Sequence, residues 1–192
     1  MKPLRILIAD DESIRLLSLR AQLTTLGHEV VAEASTGAEA VAQAASRQPD
    51  LAILDIKMPL MDGIEAAERI TQARPIPIIL LTAYSETQLI ERAAQANISA
   101  YLIKPVVEDD LLPAIALALT RFQQFEALRQ EVVDLREALE ARKIIERAKG
   151  ILMRRLNLTE EEAFRRLQKQ SQDTNRKLAE VAEAVVLADH VL

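Results

Sequence analysis

Short apolar runs alternate with longer segments of helical period over the first 105 residues, and this alternation constrains the fold more than any other feature of the chain. The pattern is typical of a parallel sheet that is covered on both faces by helices. The apolar runs predict strands at 5–9, 29–34, 50–54, 76–82 and 99–103. The segments between them predict helices near 12–26, 37–47, 63–73 and 86–96. The sequence therefore predicts an α/β fold with a five-stranded, doubly wound parallel sheet.

The composition narrows the chemistry that this fold can carry. The chain has 192 residues, of which 49% are hydrophobic, so it can supply a real core. It has no cysteine and only two histidines, His28 and His190, which argues against disulfides, thiolate zinc sites, multi-histidine metal centres and Ser-His triads. The apolar run near the N-terminus is too short for a signal peptide or a membrane span. We therefore expect a cytoplasmic protein with no membrane partner.

Strand signals stop after Pro105. Residues 108 to about 156 predict one helix that extends far beyond a compact domain. Pro113 lies near the start of this helix, where it is mildly unfavourable. Its first part should face the sheet through Leu112, Ile115, Leu119 and Phe122. Apolar residues then follow in steps of three and four, a spacing that predicts a coiled-coil seam: Phe125, Leu128, Val132, Leu135 and Leu139. Two heptads also leave open a single amphipathic helix packed on its own chain.

The remaining tail predicts a small all-helical unit of three helices, at 142–156, 159 to about 170, and 175 to about 191. Asn157 can take the left-handed conformation that ends a helix, and Thr159 with Glu162 forms a capping box. The polar run 171–175 should supply the second turn. The predicted organisation is thus a sheet domain at 1–122, a helical linker at 123–141 and a three-helix domain at 142–192.

Acidic, basic or hydroxyl side chains stand at the ends of four of the five predicted strands. Asp10 and Asp11 close the first strand and Asp55 the third, while Thr82 and Lys104 close the fourth and fifth. The carboxyl ends of parallel strands meet at one edge, so these side chains should converge. Clustered carboxylates without His or Cys favour Mg²⁺ and phosphoryl chemistry, with Asp55 as the attacking group. The alternative is that the aspartates only end a strand and cap a helix, while Lys104 is an ordinary solvated charge.

Four short motifs in the first part of the chain carry a specific resemblance to a known family. Residues 8–12 read Ile-Ala-Asp-Asp-Glu, 54–59 read Leu-Asp-Ile-Lys-Met-Pro with Asp-Gly at 62–63, 81–83 read Leu-Thr-Ala, and 101–105 read Tyr-Leu-Ile-Lys-Pro. Over residues 4 to about 122 the chain resembles a response-regulator receiver domain, which has a flavodoxin-like fold. The resemblance implies that Asp55 accepts a phosphoryl group from a phosphohistidine on a sensor histidine kinase.

The same resemblance assigns roles to the residues around Asp55. It implies that Mg²⁺ is bound by Asp11, by Asp55 and by the backbone carbonyl of Lys57, with Asp10 acting through water. It implies a catalytic role for Asp10, Asp11, Thr82 and Lys104, and a cis peptide bond between Lys104 and Pro105. Thr82 and Tyr101 would be switch residues that move on phosphorylation. For Tyr101 the alternative is a ring that is simply half-buried at a strand end.

Basic residues concentrate in the tail, although the whole chain has a net charge of −5. Residues 136–177 contain 12 basic and 7 acidic side chains, a net charge of +5. The candidate nucleic-acid contacts are Arg147, Lys149, Arg154, Arg155, Arg165, Arg166, Lys169, Asn175, Arg176 and Lys177. Composition alone supports only a solvated basic face, because aromatic side chains for base stacking are nearly absent.

Motifs in the tail carry a second resemblance. Residues 147–153 read Arg-Ala-Lys-Gly-Ile-Leu-Met, 161–164 read Glu-Glu-Ala-Phe, and 175–182 read Asn-Arg-Lys-Leu-Ala-Glu-Val-Ala. From about 136 to 190 the chain resembles the ANTAR output domain. That family binds paired RNA stem-loops in nascent transcripts and prevents a terminator from forming, so the resemblance implies transcription antitermination through RNA.

The sequence as a whole predicts a two-component regulator, and not an enzyme with an external substrate. Phosphorylation of Asp55 should promote a homodimer in which the seam pairs two chains and presents two basic units to RNA. Two alternatives keep the receiver but change the output. In one, the tail is a helix-turn-helix that reads promoter DNA. In the other, the tail docks on another signalling protein.

Overall fold

The structure is a computed structural model that describes residues 2–83 and 98–191. The helix predicted near 86–96 falls outside the described residues. The chain divides into two compact units, Met1–Glu126 and Ala127–Leu192.

A five-stranded parallel sheet forms the centre of the first unit, as the sequence predicts. Its strands are β1 (Arg5–Ala9), β2 (Glu29–Ala34), β3 (Leu51–Asp55), β4 (Ile78–Thr82) and β5 (Ala100–Ile103). They lie in the order β2-β1-β3-β4-β5, and every neighbouring pair is parallel. The order places β1 beside β3 at the centre of the sheet, so the residues that follow these two strands come together at its carboxyl edge.

The described part of this unit contains four helices, two of which begin with a side-chain cap. They are α1 (Ser13–Thr25), α2 (Gly37–Arg47), α3 (Gly63–Ala73) and the first part of α4 (Glu108–Leu156). The Thr36 side chain caps α2 by accepting from the backbone N–H of Glu39, and the Asp62 side chain caps α3 by accepting from that of Glu65. Gly27 adopts a φ of 81° after α1, the left-handed geometry that glycine permits.

Two hydrophobic layers cover the sheet because successive residues of a strand point to opposite faces. Ile6 and Ile8 pack in the layer with α1 and α4, whereas Leu7 and Ala9 pack in the layer with α2 and α3. The prediction that Leu112 faces the sheet is wrong: Leu112 is exposed and Leu111 is fully buried. Either leucine has helical spacing to the buried Ile115, so only the packing of the helix decides between them.

The second unit contains the end of α4 together with α5 (Glu160–Thr174) and α6 (Leu178–Val191). Asn157 is left-handed, with a φ of 51°, and Thr159 and Glu162 form the predicted capping box. Small and branched side chains from the three helices build a shared core: Ala148, Ala163, Leu167, Val181 and Ala182.

The second turn of the tail lies later in the chain than the sequence predicts. Residues 171–174 are helical, and the break falls at 175–177. Asn175 is the left-handed C-cap of α5, with a φ of 51°, and so does not open α6. The Ser171 hydroxyl donates to the carbonyl oxygen of Arg176 at 2.6 Å and so ties the last part of α5 to the turn that follows it. Turn-forming polar residues can thus complete a helix when the cap follows them.

Within the described residues, no helix is both long and apolar enough to cross a membrane.

Candidate functional site

The predicted carboxylates converge at the carboxyl edge of the sheet. Asp10 and Asp11 follow β1, Asp55 ends β3, and one carboxylate oxygen from each lies within 4.8 Å of the other two. We call these three residues the acidic cluster. Asp10 and Asp55 are buried, with exposures of 1% and 4%, whereas Asp11 is exposed to solvent. The cluster therefore has one face open to an approaching ion or reactant.

Lys104 joins the two buried members of the cluster. Its Nζ lies 2.9 Å from Asp10 Oδ2 and 2.7 Å from Asp55 Oδ2, and its backbone N–H donates to the Thr82 carbonyl oxygen. The Lys104–Pro105 peptide bond is cis, as the resemblance implied. Asp10 is held from its other side, because its Oδ1 accepts from the backbone N–H of Glu12 at 2.9 Å. The ammonium group therefore stands beside the carboxylate that the sequence marks as reactive.

The electrostatics of the acidic cluster favour a cation. Burial raises the pKa of Asp55 above its ordinary value, and the neighbouring Lys104 opposes that rise. Three carboxylates face the Lys104 ammonium and the Arg15 guanidinium, which lies 3.5 Å from Asp10 Oδ1, so the local charge is about −1 when all are ionised. The donors are oxygens alone, the ligand set of a hard divalent ion such as Mg²⁺. The residues present thus fit the predicted cofactor.

The loop after β3 shapes the open side of the site. Asp11, Lys57 and Asp62 line a recess of about 420 Å³ there. Gly63 is a site residue whose role was not predicted from the sequence: a Cβ at this position would collide with the backbone carbonyl oxygen of Asp55. Its own N–H donates to the Ile56 carbonyl oxygen at 2.9 Å. The only sequence signal for this close approach is a glycine directly after the capping Asp62.

The two predicted switch residues lie on the neighbouring strands. Thr82 is buried at the end of β4, and its hydroxyl donates to the Ala83 carbonyl oxygen at 3.2 Å. Tyr101 is partly buried and packs against the hydrophobic layer that contains α2 and α3, and burial raises the pKa of its phenol. Thr82 therefore stands at the acidic cluster's edge of the sheet, whereas Tyr101 is paired with Leu80 in the middle of β4. The movement assigned to both residues stays a prediction.

Nine of the ten predicted nucleic-acid contacts are exposed on the second unit. Three of the nine bind carboxylates: Arg155 lies 2.8 Å from Asp189, and Arg165 and Arg176 pair with glutamates one turn away on their own helices. Within residues 2–83 and 98–191, four others form no salt bridge: Arg154, Arg166, Lys169 and Lys177. Among the described residues, no carboxylate therefore offsets the charge of these four side chains at salt-bridge distance.

Lys149 differs from the other predicted contacts because it is buried. Only 7% of the residue is exposed, and its Nζ lies 2.7 Å from Glu160 and 2.9 Å from Glu146. The ammonium also lies 5.8 Å from the centre of the Phe164 ring. Hydrogen bonds to Glu160 and Glu146 raise the pKa of Lys149. The side chain of Lys149 thus extends from α4 to the start of α5 and is not part of the exposed basic face.

Comparison with known proteins identifies the class to which the fold and the site belong. The family described as response regulator receiver domain matches residues 6–116, and the ANTAR domain family matches residues 133–186. The chain therefore belongs to the response regulators and carries an ANTAR domain. The receiver followed by ANTAR is the arrangement predicted from the sequence, and that prediction is confirmed.

A relative that aligns along both units of this chain is the transcriptional regulatory protein PdtaR of Mycobacterium tuberculosis. It is 46% identical over 184 residues, which is 96% of this chain and 90% of the relative. The chemotaxis protein CheY of Bacillus subtilis is 39% identical over 112 residues, which is 58% of this chain and 93% of CheY. The protein is accordingly a signalling regulator homologous to PdtaR.

Solved structures match the receiver part of the chain. The signal receiver domain of a modulated diguanylate cyclase from Desulfovibrio desulfuricans is 33% identical with a TM-score of 0.60, covering 64% of this chain and 98% of that one. The CheY chain in a CheX–CheY–BeF3–Mg²⁺ complex from Borrelia burgdorferi is 27% identical with a TM-score of 0.56, covering 59% and 87%.

Proposed function

We propose that a sensor histidine kinase phosphorylates this regulator on Asp55, and that its C-terminal helices then bind RNA stem-loops to cause transcription antitermination. One observation carries the first half of this proposal: Lys104 stands 2.7 Å from the buried Asp55 carboxylate, inside a cluster of acids with an open face. The second half is supported by exposed cations on the ANTAR helices that form no salt bridge in the described part of the chain.

The transfer to Asp55 follows from the groups around it. A carboxylate oxygen of Asp55 attacks phosphorus, and the bond from phosphorus to the donor histidine nitrogen breaks. The electron pair of that bond stays on the nitrogen, so an imidazole protonated on its other nitrogen leaves as a neutral ring. The product is an acyl phosphate on Asp55. Lys104 neutralises negative charge on the phosphoryl oxygens, and the Thr82 hydroxyl donates to one of them.

We assign Mg²⁺ as the cofactor of this step. Asp11, Asp55 and the backbone carbonyl of Lys57 would hold it, with Asp10 acting through water, and the ion would supply charge neutralisation for the transferred group. The oxygen-only donor set of the acidic cluster supports this assignment. So does the Borrelia CheY structure, whose complex includes Mg²⁺ and BeF3.

The ANTAR unit would contact RNA through its exposed basic side chains. Arg154, Arg166, Lys169 and Lys177 would bind phosphates, since none of them has a salt bridge to give up among the residues that the structure describes. Arg147, Arg155, Arg165, Asn175 and Arg176 would form the rest of the surface. We exclude Lys149 from the RNA contacts and assign it the positioning of α5 against α4, because it is buried between two glutamates.

Phosphorylation would act through chain pairing. A receiver at 1–122 would control association through the linker at 123–141, and two ANTAR units at 142–192 would bind two RNA loops. Tethering the two units raises the effective concentration of the second once the first is bound. Thr82 and Tyr101 would carry the change from Asp55 to the receiver surface.

The site is tested by labelling with acetyl phosphate and Mg²⁺. We expect Asp55→Asn to abolish labelling, while the exposed control Asp109→Asn at the start of α4 labels normally. Undiminished labelling of Asp55→Asn would assign the phosphoryl group to another residue.

The output is tested by the salt dependence of hairpin binding. We expect Lys169→Met to weaken binding and to reduce the slope of log affinity against log salt by about 0.7 to 1. Lys2→Met removes the same charge from the other unit and should change neither quantity. An unaltered slope for Lys169→Met, or stronger binding to duplex DNA than to the hairpin, would contradict the RNA surface.

A further inference from the structure

Arg15 places a second cation beside the acidic cluster. One nitrogen of its guanidinium lies 3.5 Å from Asp10 Oδ1, whereas the Lys104 ammonium contacts Oδ2 of the same carboxylate. The other terminal nitrogen of Arg15 lies 2.7 Å from Glu12 Oε1. The buried Asp10 carboxylate therefore has a positive charge beside each of its two oxygens.

The start of α1 differs from the starts of α2 and α3. Each of those two helices has a side-chain cap and a glutamate in its first turn. Helix α1 has no acidic residue in its first turn, and the side chain of its N-cap residue, Glu12, makes no capping hydrogen bond. Arg15 is the third residue of α1, where a cation opposes the helix dipole. Local preferences of this kind are broken where a side chain serves a site, so the position of Arg15 indicates a role toward the carboxylates.

We infer that Arg15 is a positioning residue that holds Asp10 in the metal-free site and lowers the affinity of the acidic cluster for Mg²⁺. This inference rests on the proposed function, which assigns Mg²⁺ to the cluster. The guanidinium offsets part of the negative charge that attracts the ion, and it also repels the ion directly. The cluster thus stays stable without metal, and its affinity for metal is lower than its three carboxylates alone would give.

Arg15 and Lys104 hold Asp10 in different ways. The Lys104 side chain is 16% exposed and lies within 2.9 Å of both Asp10 and Asp55. The Arg15 side chain is 45% exposed and has its shorter contact with Glu12, which is also exposed. Arg15 can therefore turn away from Asp10 while it keeps its pair with Glu12. We expect Arg15 to yield when the ion binds, while Lys104 remains in place for the phosphoryl group.

The expected size of the effect follows from the exposure of Arg15. Water and salt screen a half-exposed charge, so its influence on the ion is moderate and depends on ionic strength. Loss of this charge should tighten Mg²⁺ binding about three- to tenfold at low salt. The concentration of Mg²⁺ that half-saturates labelling of Asp55 by acetyl phosphate should fall by the same factor.

The affinity is tested by calorimetric titration of the full chain with Mg²⁺ alone. Arg15→Gln should tighten binding at about 50 mM KCl, and its advantage should shrink to less than about twofold at about 500 mM KCl. Arg15→Lys retains the charge and should stay within about twofold of the wild type. The matched control is Arg20→Gln, because Arg20 lies on the same helix and pairs with Glu33 at 2.5 Å. An unchanged affinity in Arg15→Gln, or an equal gain in Arg20→Gln, would overturn the inference.

A second variant separates charge from a general disturbance of α1. Glu12→Gln leaves Arg15 with Asp10 as its carboxylate contact and removes one negative charge, so it should weaken Mg²⁺ binding about twofold. Arg15→Gln should act in the opposite direction. Changes of the same sign in both variants would show that they loosen the start of α1, and that result would contradict the role of Arg15.

The contact in the metal-free site is tested without any ion, by scanning calorimetry in EDTA. Arg15→Gln should lower the unfolding midpoint of the first unit more in the wild type than in an Asp10→Asn chain, by about 1 to 4 °C. Comparing the two backgrounds removes the effect of Arg15 on the helix dipole, which is common to both. Equal shifts in the two backgrounds would overturn the claim that Arg15 holds Asp10.

These measurements distinguish failure of the inference from failure of the proposed function. Asp11→Asn removes an assigned ligand and should abolish Mg²⁺ binding. Undiminished binding in Asp11→Asn would overturn the assignment of the ion to the acidic cluster. Binding that requires Asp11 but keeps its wild-type affinity in Arg15→Gln would overturn the role of Arg15 alone.

Discussion

Replacing Asp55 by asparagine should stabilise the first unit while it abolishes phosphorylation. In the folded chain Asp55 faces Lys104 at 2.7 Å, and its ligand oxygen lies within 4.8 Å of those of Asp10 and Asp11. At an effective dielectric constant of about 20, the attraction between Asp55 and Lys104 is worth about 6 kcal/mol. The repulsion between Asp55 and Asp10 is worth about 3.5 kcal/mol or more. Asp11 also repels Asp55, but Asp11 is exposed, so solvent weakens that repulsion.

The repulsions offset more than half of the attraction, and the cost of burying the Asp55 charge then decides the sign. Burial is the largest cause that raises the pKa of this carboxyl above its ordinary value of 3.8. Asparagine removes the buried charge and leaves Lys104 with Asp10. We expect a gain of about 1 kcal/mol in the free energy of unfolding, or about 4 °C in the midpoint for a unit of this size.

Two measurements by scanning calorimetry check this reasoning. The first follows the pH dependence: because the folded pKa of Asp55 is raised, the ionised carboxylate costs stability above that pKa, and the cost disappears as the pH falls to 3.8. The advantage of Asp55→Asn should therefore be present at pH 7 and shrink toward pH 3.8. The second adds Mg²⁺ at ten times its dissociation constant, which should stabilise the wild type by about 1.4 kcal/mol and the variant by much less. A variant that is less stable than the wild type at pH 7, or that gains equally from Mg²⁺, would refute the electrostatic account.

Three further changes test the packing around the two units. Gly63→Ala should cost about 1 to 3 kcal/mol and slow labelling of Asp55 by acetyl phosphate, since its Cβ would displace the Asp55 carbonyl, whereas unchanged labelling would contradict that contact. Leu167→Ala should destabilise the second unit by about 2 to 5 kcal/mol in calorimetry, because this leucine is 1% exposed in the three-helix core. Lys149→Met should lower the unfolding midpoint of the second unit and weaken hairpin binding, because Glu160 loses its partner. The slope of log affinity against log salt should stay the same, and a reduced slope would instead make Lys149 a phosphate contact.

Much of the molecule follows from short-range features of the sequence. The strands are apolar runs, the capping box at Thr159 and Glu162 is a four-residue signal, and the left-handed turns at Gly27 and Asn157 rest on the residue type. The acidic cluster also follows, because a parallel sheet brings the carboxyl ends of β1 and β3 to one edge whatever fills the rest of the core. Each of these features depends on neighbours in the chain or on the topology alone.

Other features depend on which side chains meet from distant parts of the chain. Leu111 and Leu112 satisfy the same helical spacing, and only the packing of α4 on the sheet buries the first and exposes the second. Lys149 looks like its basic neighbours in sequence, yet the start of α5 brings Glu160 and Phe164 to it and removes it from the surface. The sequence by itself determined which elements form and where the acids gather. The tertiary structure decided which individual side chains are buried or paired, because burial and pairing depend on distances that local periodicity does not contain.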